Sequence, residues 1–373
     1  MERKITVFGN SASRDDNFLT VTTAIDKSGE GASPLLIIFF SDHIDFQWYS
    51  IELNKKYPDA IVLGSTSCDV ICSDRQSSYG ISLLAVMSEI ECYCGIIRDV
   101  STYPMQHVDE VRDVINKLDS YENSVIFEMV PSFSMCEELV LDTFNEAIGN
   151  RNIPLFGGST GTEAYDGEEY VSLNGRIYTD SCVYVLIHNL NGRIFLYKEN
   201  MYKPTDKIIT ATDVDCDKRI IYECNNKPVL TAMAEAFGVK EEEVEDYIFK
   251  HPLGRIRDND IDIMDPAKIL EDGAILYYAR VFNYTRMAIL EIDNLELVWR
   301  RSNTEIKESG IKPDFSIGVN CGLRSKMFKK LDKMDSFVRT LNKNYGDYIC
   351  CSSFGEQLNG CHYNETMIIG LFE

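Results

Sequence analysis

Ten residues of this 373-residue chain carry groups suited to holding a small polar molecule, and they fall in a few short loops. Ser65 and Thr66 close the run AIVLGSTS. Gly158, Ser159 and Thr160 close IPLFGGSTG, and Cys321 and Arg324 follow the run DFSIGVN. Glu356, His362 and Asn364 lie in the terminal stretch SFGEQLNGCHYNET. Glycine-rich turns leave backbone N–H groups free to meet a carboxylate or phosphate. The hydroxyls both donate and accept. Arg324 offers a two-pronged donor to a carboxylate, Glu356 an acceptor for an amine, and Asn364 a group that can orient either end. The same residues have plainer readings: tight chain reversal at the Gly-Ser turns, and an internal ion pair between Arg324 and Glu356.

Covalent chemistry has thinner support. Cys321 after a strand, with His362 elsewhere, has the ingredients of a thiol nucleophile and its base, and Cys68 in a Ser/Thr-rich turn is a second candidate. No local signature goes further. GGSTG lacks the lysine of a phosphate-binding loop, and GSTS is not a Gly-x-Ser-x-Gly elbow. The thiol-enzyme reading is therefore a minor alternative to binding. The twelve cysteines show neither doubled two-spaced pairs nor a redox pair, so most read as small buried hydrophobes kept reduced. Of the five histidines, His107 reads as solvated in a polar loop. A lone imidazole such as His362 is most often a hydrogen-bonded structural group. As a haem ligand it would need an apolar cavity around it.

A unit that the chain uses three times would bring these loops together. The copies run from PLLIIFFSDH to AIVLGSTS, from SVIFEMVPSFS to IPLFGGSTG, and from DFSIGVNCG to YICCSSFGEQ. Each is an apolar strand, an amphipathic helix and a second apolar strand, a crossover that joins parallel neighbours. Leu35 to Phe40 is continuously apolar, as in a strand buried on both faces. Phe46, Tyr49, Leu53 and Tyr57 form one helical stripe. In the second copy Ser134 and Glu137 make a capping box, Val140, Leu141, Phe144 and Ile148 the apolar face, and Gly149 the stop. Met327, Leu331, Met334, Val338 and Leu341 give the stripe of the third. Asn174-Gly175 and Asn191-Gly192 are hairpin signals, and GAILYYARVFNYTRMAILEI reads as another antiparallel pair. Pro228 and Gly238 bracket a helix. The expected fold class is α/β: repeated strand–helix–strand modules forming mixed sheets with outer helices, in two sub-domains. The polar stretch TATDVDCDKR divides them into residues 1–215 and 216–373.

Composition narrows the partners. A net charge of −22 argues against nucleic acid and anionic membranes, which require clustered Lys and Arg. The start, MERKITVFGN, lacks a signal-peptide core and no apolar run is long enough to cross a bilayer, so a cytoplasmic location is expected.

The runs LLIIFFSDHIDFQ…YPDAIVLGSTS, PLFGGSTG, NNKPVLTAMAEAFG, HPLG and SFGEQLNGCHYNETMIIGLF together resemble the FIST family, in both its N- and C-terminal regions. The resemblance implies binding rather than catalysis, so no enzyme: a sensory domain of signal transduction that recognises a small molecule such as an amino acid. It would pass the signal to a histidine kinase, cyclase or chemoreceptor. With no output domain before Glu373, the chain is expected to act as a stand-alone sensor working through a partner. Some relatives resemble haem-binding nitric-oxide sensors that regulate a histidine kinase, which makes haem the alternative cofactor. Two departures bear on the ligand. Ser67-Cys68-Asp69-Val70 stands where the family has a glycine and an acidic residue, and Glu365 stands where it has a glutamine.

Overall fold

Leu36–Ser41, Ser124–Val130 and Phe315–Cys321 are each buried along their whole length, in a computed structural model describing residues 2–162, 168–257 and 260–373. Each is the first strand of one expected module. Each pairs in parallel with the second strand of its module: Ile61–Thr66, Leu155–Ser159 and Asp347–Ser353 respectively. With a helix between its strands, each pair needs both faces covered, which explains its unbroken apolar sequence.

The three pairs are the centres of three six-stranded sheets built to one plan. An antiparallel strand flanks the first strand of each pair: Ile81–Val86, Ser181–Asn189 and Thr366–Phe372. A hairpin flanks the second strand, and it comes from a different module. The hairpin Val171–Leu173/Arg176–Tyr178, which follows the second module, pairs with Ile61–Thr66 of the first. Val70–Cys72/Arg75–Ser77, which follows the first, pairs with Asp347–Ser353 of the third. Glu356–Leu358, with Cys361–Tyr363 beside it, follows the third and pairs with Leu155–Ser159 of the second. The modules thus exchange hairpins in a cycle.

The helices bury the faces that their spacing assigns, with two differences. Phe46, Tyr49 and Leu53 are wholly buried on helix Phe46–Lys56. Val140, Leu141, Phe144 and Ile148 pack in the core beneath Glu137–Ile148, which ends at Gly149 with φ 58°. That helix has no capping box: Ser134 closes a short 3-10 turn and donates to the Pro131 carbonyl at 2.7 Å. Glu137 is used elsewhere. The stripe of the third module is broken into two helices, Gly322–Lys330 and Met334–Asn344. Asp332 takes a left-handed φ of 55° between them, leaving Leu331 48% exposed. A left-handed residue cannot continue a right-handed helix.

Turn chemistry is mostly, not always, local. Asn174 and Gly175 make the expected hairpin with φ 49° and 76°. Asn191-Gly192 does not: Ser181–Asn189 and Ile194–Asn200 lie in different sheets. Ile275–Tyr277 and Arg286–Ile292 are likewise not neighbours, each pairing with other strands. His107 is buried and bound to Glu110 at 3.0 Å, not solvated.

Two compact units follow. The first holds residues 1–198, 302–362 and 367–373, and so all three modules. The second holds residues 199–301 and 363–366. The units do not follow one cut near residue 215, because TATDVDCDKR runs through a hairpin of the second unit, Tyr202–Asp215 against Ile220–Cys224. That unit is an antiparallel sheet ordered from Asp260–Met264 to Pro266–Ile269. Helices Val229–Phe237 and Val244–Ile248 pack on it through Met233, Val244 and Ile248. Pro228 and Gly238 bracket the first of these helices as expected. Among the described residues no helix is long and apolar enough to cross a membrane.

Candidate functional site

The exchange of hairpins draws the polar ends of the parallel strands together inside the first unit. Ser65, Thr66, Ser159, Thr160, Cys321, Ser352 and Ser353 are all buried there. Main-chain bonds stitch the modules to one another. The Cys68 N–H donates to Ser352 O at 3.0 Å, Gly161 N–H to Thr66 O at 3.3 Å, and Ser159 N–H to Gly355 O at 2.8 Å. Cys68 marks the junction. A side-chain carbon on Gly161 would lie 2.8 Å from its sulfur, and one on Gly322 3.3 Å from it. Burial pushes the Cys68 thiol well above its ordinary range, with Asp69 adding to the shift, and it donates to Thr162 O at 3.3 Å.

The glycines expected as free turns serve closeness instead. Gly157 and Gly158 lie within the strand Leu155–Ser159. A side chain on Gly157 would meet Glu128 O at 2.0 Å, and one on Gly158 would meet Val319 at 2.3 Å. The backbone donors expected to be available to an anion, those of Ser159, Thr160 and Gly161, are taken by the carbonyls of Gly355, Val130 and Thr66.

Side chains form three hydrogen-bonded groups around this junction. In the first, Gln357 Nε2 donates to Ser159 Oγ at 3.1 Å and lies 3.0 Å from His362 Nδ1, while Ser159 Oγ donates to Glu137 Oε1 at 3.1 Å. In the second, Arg324 Nε donates to Asn320 Oδ1 at 3.1 Å. Asn320 Nδ2 donates to Ser325 Oγ at 2.9 Å, and Ser325 meets Ser352 at 2.7 Å. The Arg324 guanidinium also lies over the Phe328 ring, 5.4 Å from its centre. In the third, Glu169 accepts from Thr160 Oγ1 at 2.7 Å and from the N–H and hydroxyl of Ser132. Burial raises the Glu169 carboxyl while these donors pull it down. Glu356 accepts from Ser353 Oγ at 2.8 Å and is wholly buried, as is Arg324.

Nine of the ten singled-out residues therefore lie in the first unit. Ser65 and Thr66 are committed to main-chain acceptors, Ser65 Oγ to Thr66 O next door and Thr66 Oγ1 to Tyr170 O on the incoming hairpin segment. Cys321 caps the helix that carries Arg324. Asn364 belongs to the second unit, where its Oδ1 meets the Asp265 N–H at 3.5 Å. Residue types and spacing missed Glu137, Glu169, Asn320, Gln357 and Thr162. Glu137 reads as a helix cap, Glu169 as one of two acids before a strand, and Asn320 as strand interior, so only their pairing in space gives them away. Thr162 Oγ1 and Gln357 Oε1, at this junction, are buried with no hydrogen-bond partner, as are Ser50 Oγ, Ser82 Oγ, Glu128 Oε1, Ser172 Oγ and Tyr277 Oη elsewhere among the described residues. No group of three or more His, Cys, Asp or Glu among the described residues is arranged to hold a metal ion.

The FIST N domain model matches residues 34–227. The chain is a FIST protein. The match spans more than half of the sequence, and it begins at the first module strand and ends in the second unit. The companion C-terminal model of the family does not match. FIST domains are sensory domains linked to signal transduction. No curated protein is similar enough to the chain to count as a relative. The haem alternative does not fit the residues in this FIST protein. His362 is backed onto Gly355, where an added carbon would lie 2.2 Å from its Cε1, and it is bound at Nδ1 by an amide. The bonded neighbours around it, Gln357, Ser159 and Glu137, are polar, whereas haem requires an apolar slot.

Proposed function

We propose that this FIST protein is a sensor that binds a small polar metabolite, of the amino-acid kind, where its three modules meet. The observation that carries the reading is the buried polar junction itself, at which Thr162 Oγ1 and Gln357 Oε1 are buried without a hydrogen-bond partner, as are some buried atoms elsewhere, such as Ser50 Oγ and Tyr277 Oη. Leaving a buried polar atom unsatisfied costs about 1–3 kcal/mol, a cost that a ligand bonding either atom would lower. Buried Glu356 and Arg324 supply opposite charges suited to the amine and carboxylate of such a molecule. Ser159, Thr160 and His362 supply the neutral groups around it. Binding would shift the population of a conformation that a partner protein reads, a kinase, cyclase or chemoreceptor in the manner of the family.

Binding without turnover is part of the same reading. A nucleophilic cysteine works as thiolate, and the Cys68 environment opposes ionisation.

A thermal-shift panel of amino acids and related metabolites on the full chain tests the proposal. At a hundredfold excess over its dissociation constant a ligand adds about 2.7 kcal/mol of stability. The expected result is a rise in melting temperature with one chemical class, lost in Glu356→Gln or His362→Ala. A flat panel on folded protein would overturn the small-molecule reading.

A further inference from the structure

The second unit holds a cavity of about 480 Å³, within the size range of small-molecule sites, and its walls are unlike those of the first-unit junction. One wall is made of rings. Phe237, Tyr247 and His251 lie with centres 5.8 to 6.4 Å apart. The His251 ring is fixed by its Nδ1, 3.1 Å from the Leu290 carbonyl. The facing wall is a bulge. Pairing between Tyr202–Asp215 and Arg286–Ile292 slips between Pro204 and Ile208, so that Thr205, Asp206 and Lys207 leave the ladder. Thr205 pins the bulge by donating to Ile289 O at 2.8 Å. Bulges of this sort re-aim side chains and occur disproportionately beside sites.

We propose that this cavity binds an organic cation, an alkylammonium or a guanidinium. Aromatic rings attract cations through their faces, and nearby carboxylates add a Coulomb attraction of their own. Asp206 on the bulge and Glu291 on the neighbouring strand both line the cavity. The helix that bears Tyr247 begins in an acidic run, Glu241, Glu242, Glu243, Glu245 and Asp246, all exposed. The chain as a whole carries −22, which draws cations towards such a recess. Two lysines oppose this and neither blocks it. Lys207 is exposed on a flexible stem that can turn to water. Lys203 holds Glu291 at 3.2 Å in a pair about half exposed, and such surface pairs are weak enough for a bound cation to replace.

Titration calorimetry on the full chain with tetramethylammonium and methylguanidinium, against neutral tert-butanol, tests the proposal. Saturable binding of the cations and none of the alcohol is expected, weakened at least about tenfold by Tyr247→Ala and retained in Tyr247→Phe. Asp206→Asn, a surface change that leaves the fold intact, should weaken binding about threefold and reduce its salt dependence. A tetrapeptide with one arginine separates the sources. Tighter binding than methylguanidinium marks a side chain of a protein partner, and equal or weaker binding marks a free metabolite. Both outcomes support a cation site. Equal binding of tert-butanol, or cation binding unchanged by Tyr247→Ala and Asp206→Asn, would overturn it. These probes and variants all lie in the second unit, so failure here leaves the first-unit reading untouched.

Discussion

Glu128 lies in the middle of a core strand, wholly buried, and Cys182 Sγ donates to its Oε2 at 3.3 Å. Burial pushes its carboxyl up to about 8, and the charge of Glu137 adds to the rise. The folded chain therefore keeps this group protonated, while the unfolded chain ionises it from the ordinary value of 4.5. Stability should fall as pH rises between those two values and level off above the folded one. Glu128→Gln should remove that slope and raise stability at pH 8.5 by something on the order of 3–5 kcal/mol, read from urea unfolding at several pH values. The thiol of Cys68 should resist iodoacetamide at pH 8 in the native protein and react in urea, by mass spectrometry. An equally fast native reaction would contradict its enclosure. At this scale the sequence marked Ser159, Arg324 and Glu356, whose types are conspicuous. Nothing local marks Glu128 or Thr162, because burial and an absent partner are properties of the neighbours and not of the residue.

The strand–helix–strand modules were legible because each carries its own signal: an unbroken apolar strand, a helical stripe and a stop. The exceptions have local causes that only packing discloses. Gly157 and Gly158 look like a turn, yet they are strand residues that allow the Glu128 carbonyl and Val319 to approach closely. Gly157→Ala should therefore be severely destabilising, by about 3 kcal/mol or more, since its contact is with backbone that cannot give way. Gly238→Ala is the contrast. With φ 77° at a helix end and open space around it, its cost should be about 1 kcal/mol, from backbone conformation alone. Chemical denaturation of the two variants side by side checks the difference. The capping box at Ser134 failed because Met135 takes a left-handed turn before the helix starts, so the residue with the right spacing is not at the helix end.

For the whole molecule, the cyclic exchange of hairpins was not legible. Asn174-Gly175 announces a hairpin but says nothing of which sheet receives it. The receiving strand, Ile61–Thr66, lies more than a hundred residues away. The return of residues 302–362 to the first unit is non-local in the same way. Charge is readable from composition alone. At −22 self-repulsion opposes compaction, so raising salt from about 20 to about 200 mM should raise the melting temperature by a few degrees.

The ligand reading stands on a junction that holds an orphaned hydroxyl, and Thr162→Val tests it most directly in a melting experiment with and without the metabolite found by the panel. The variant keeps the shape and removes a polar atom that has no partner in the free protein. Without ligand it should melt at the same temperature as the parent or slightly higher, since about 1 kcal/mol or more of unsatisfied desolvation is relieved. With ligand, most of the parent's stabilisation should be gone. A variant that melts lower on its own and keeps the full ligand shift would contradict the account.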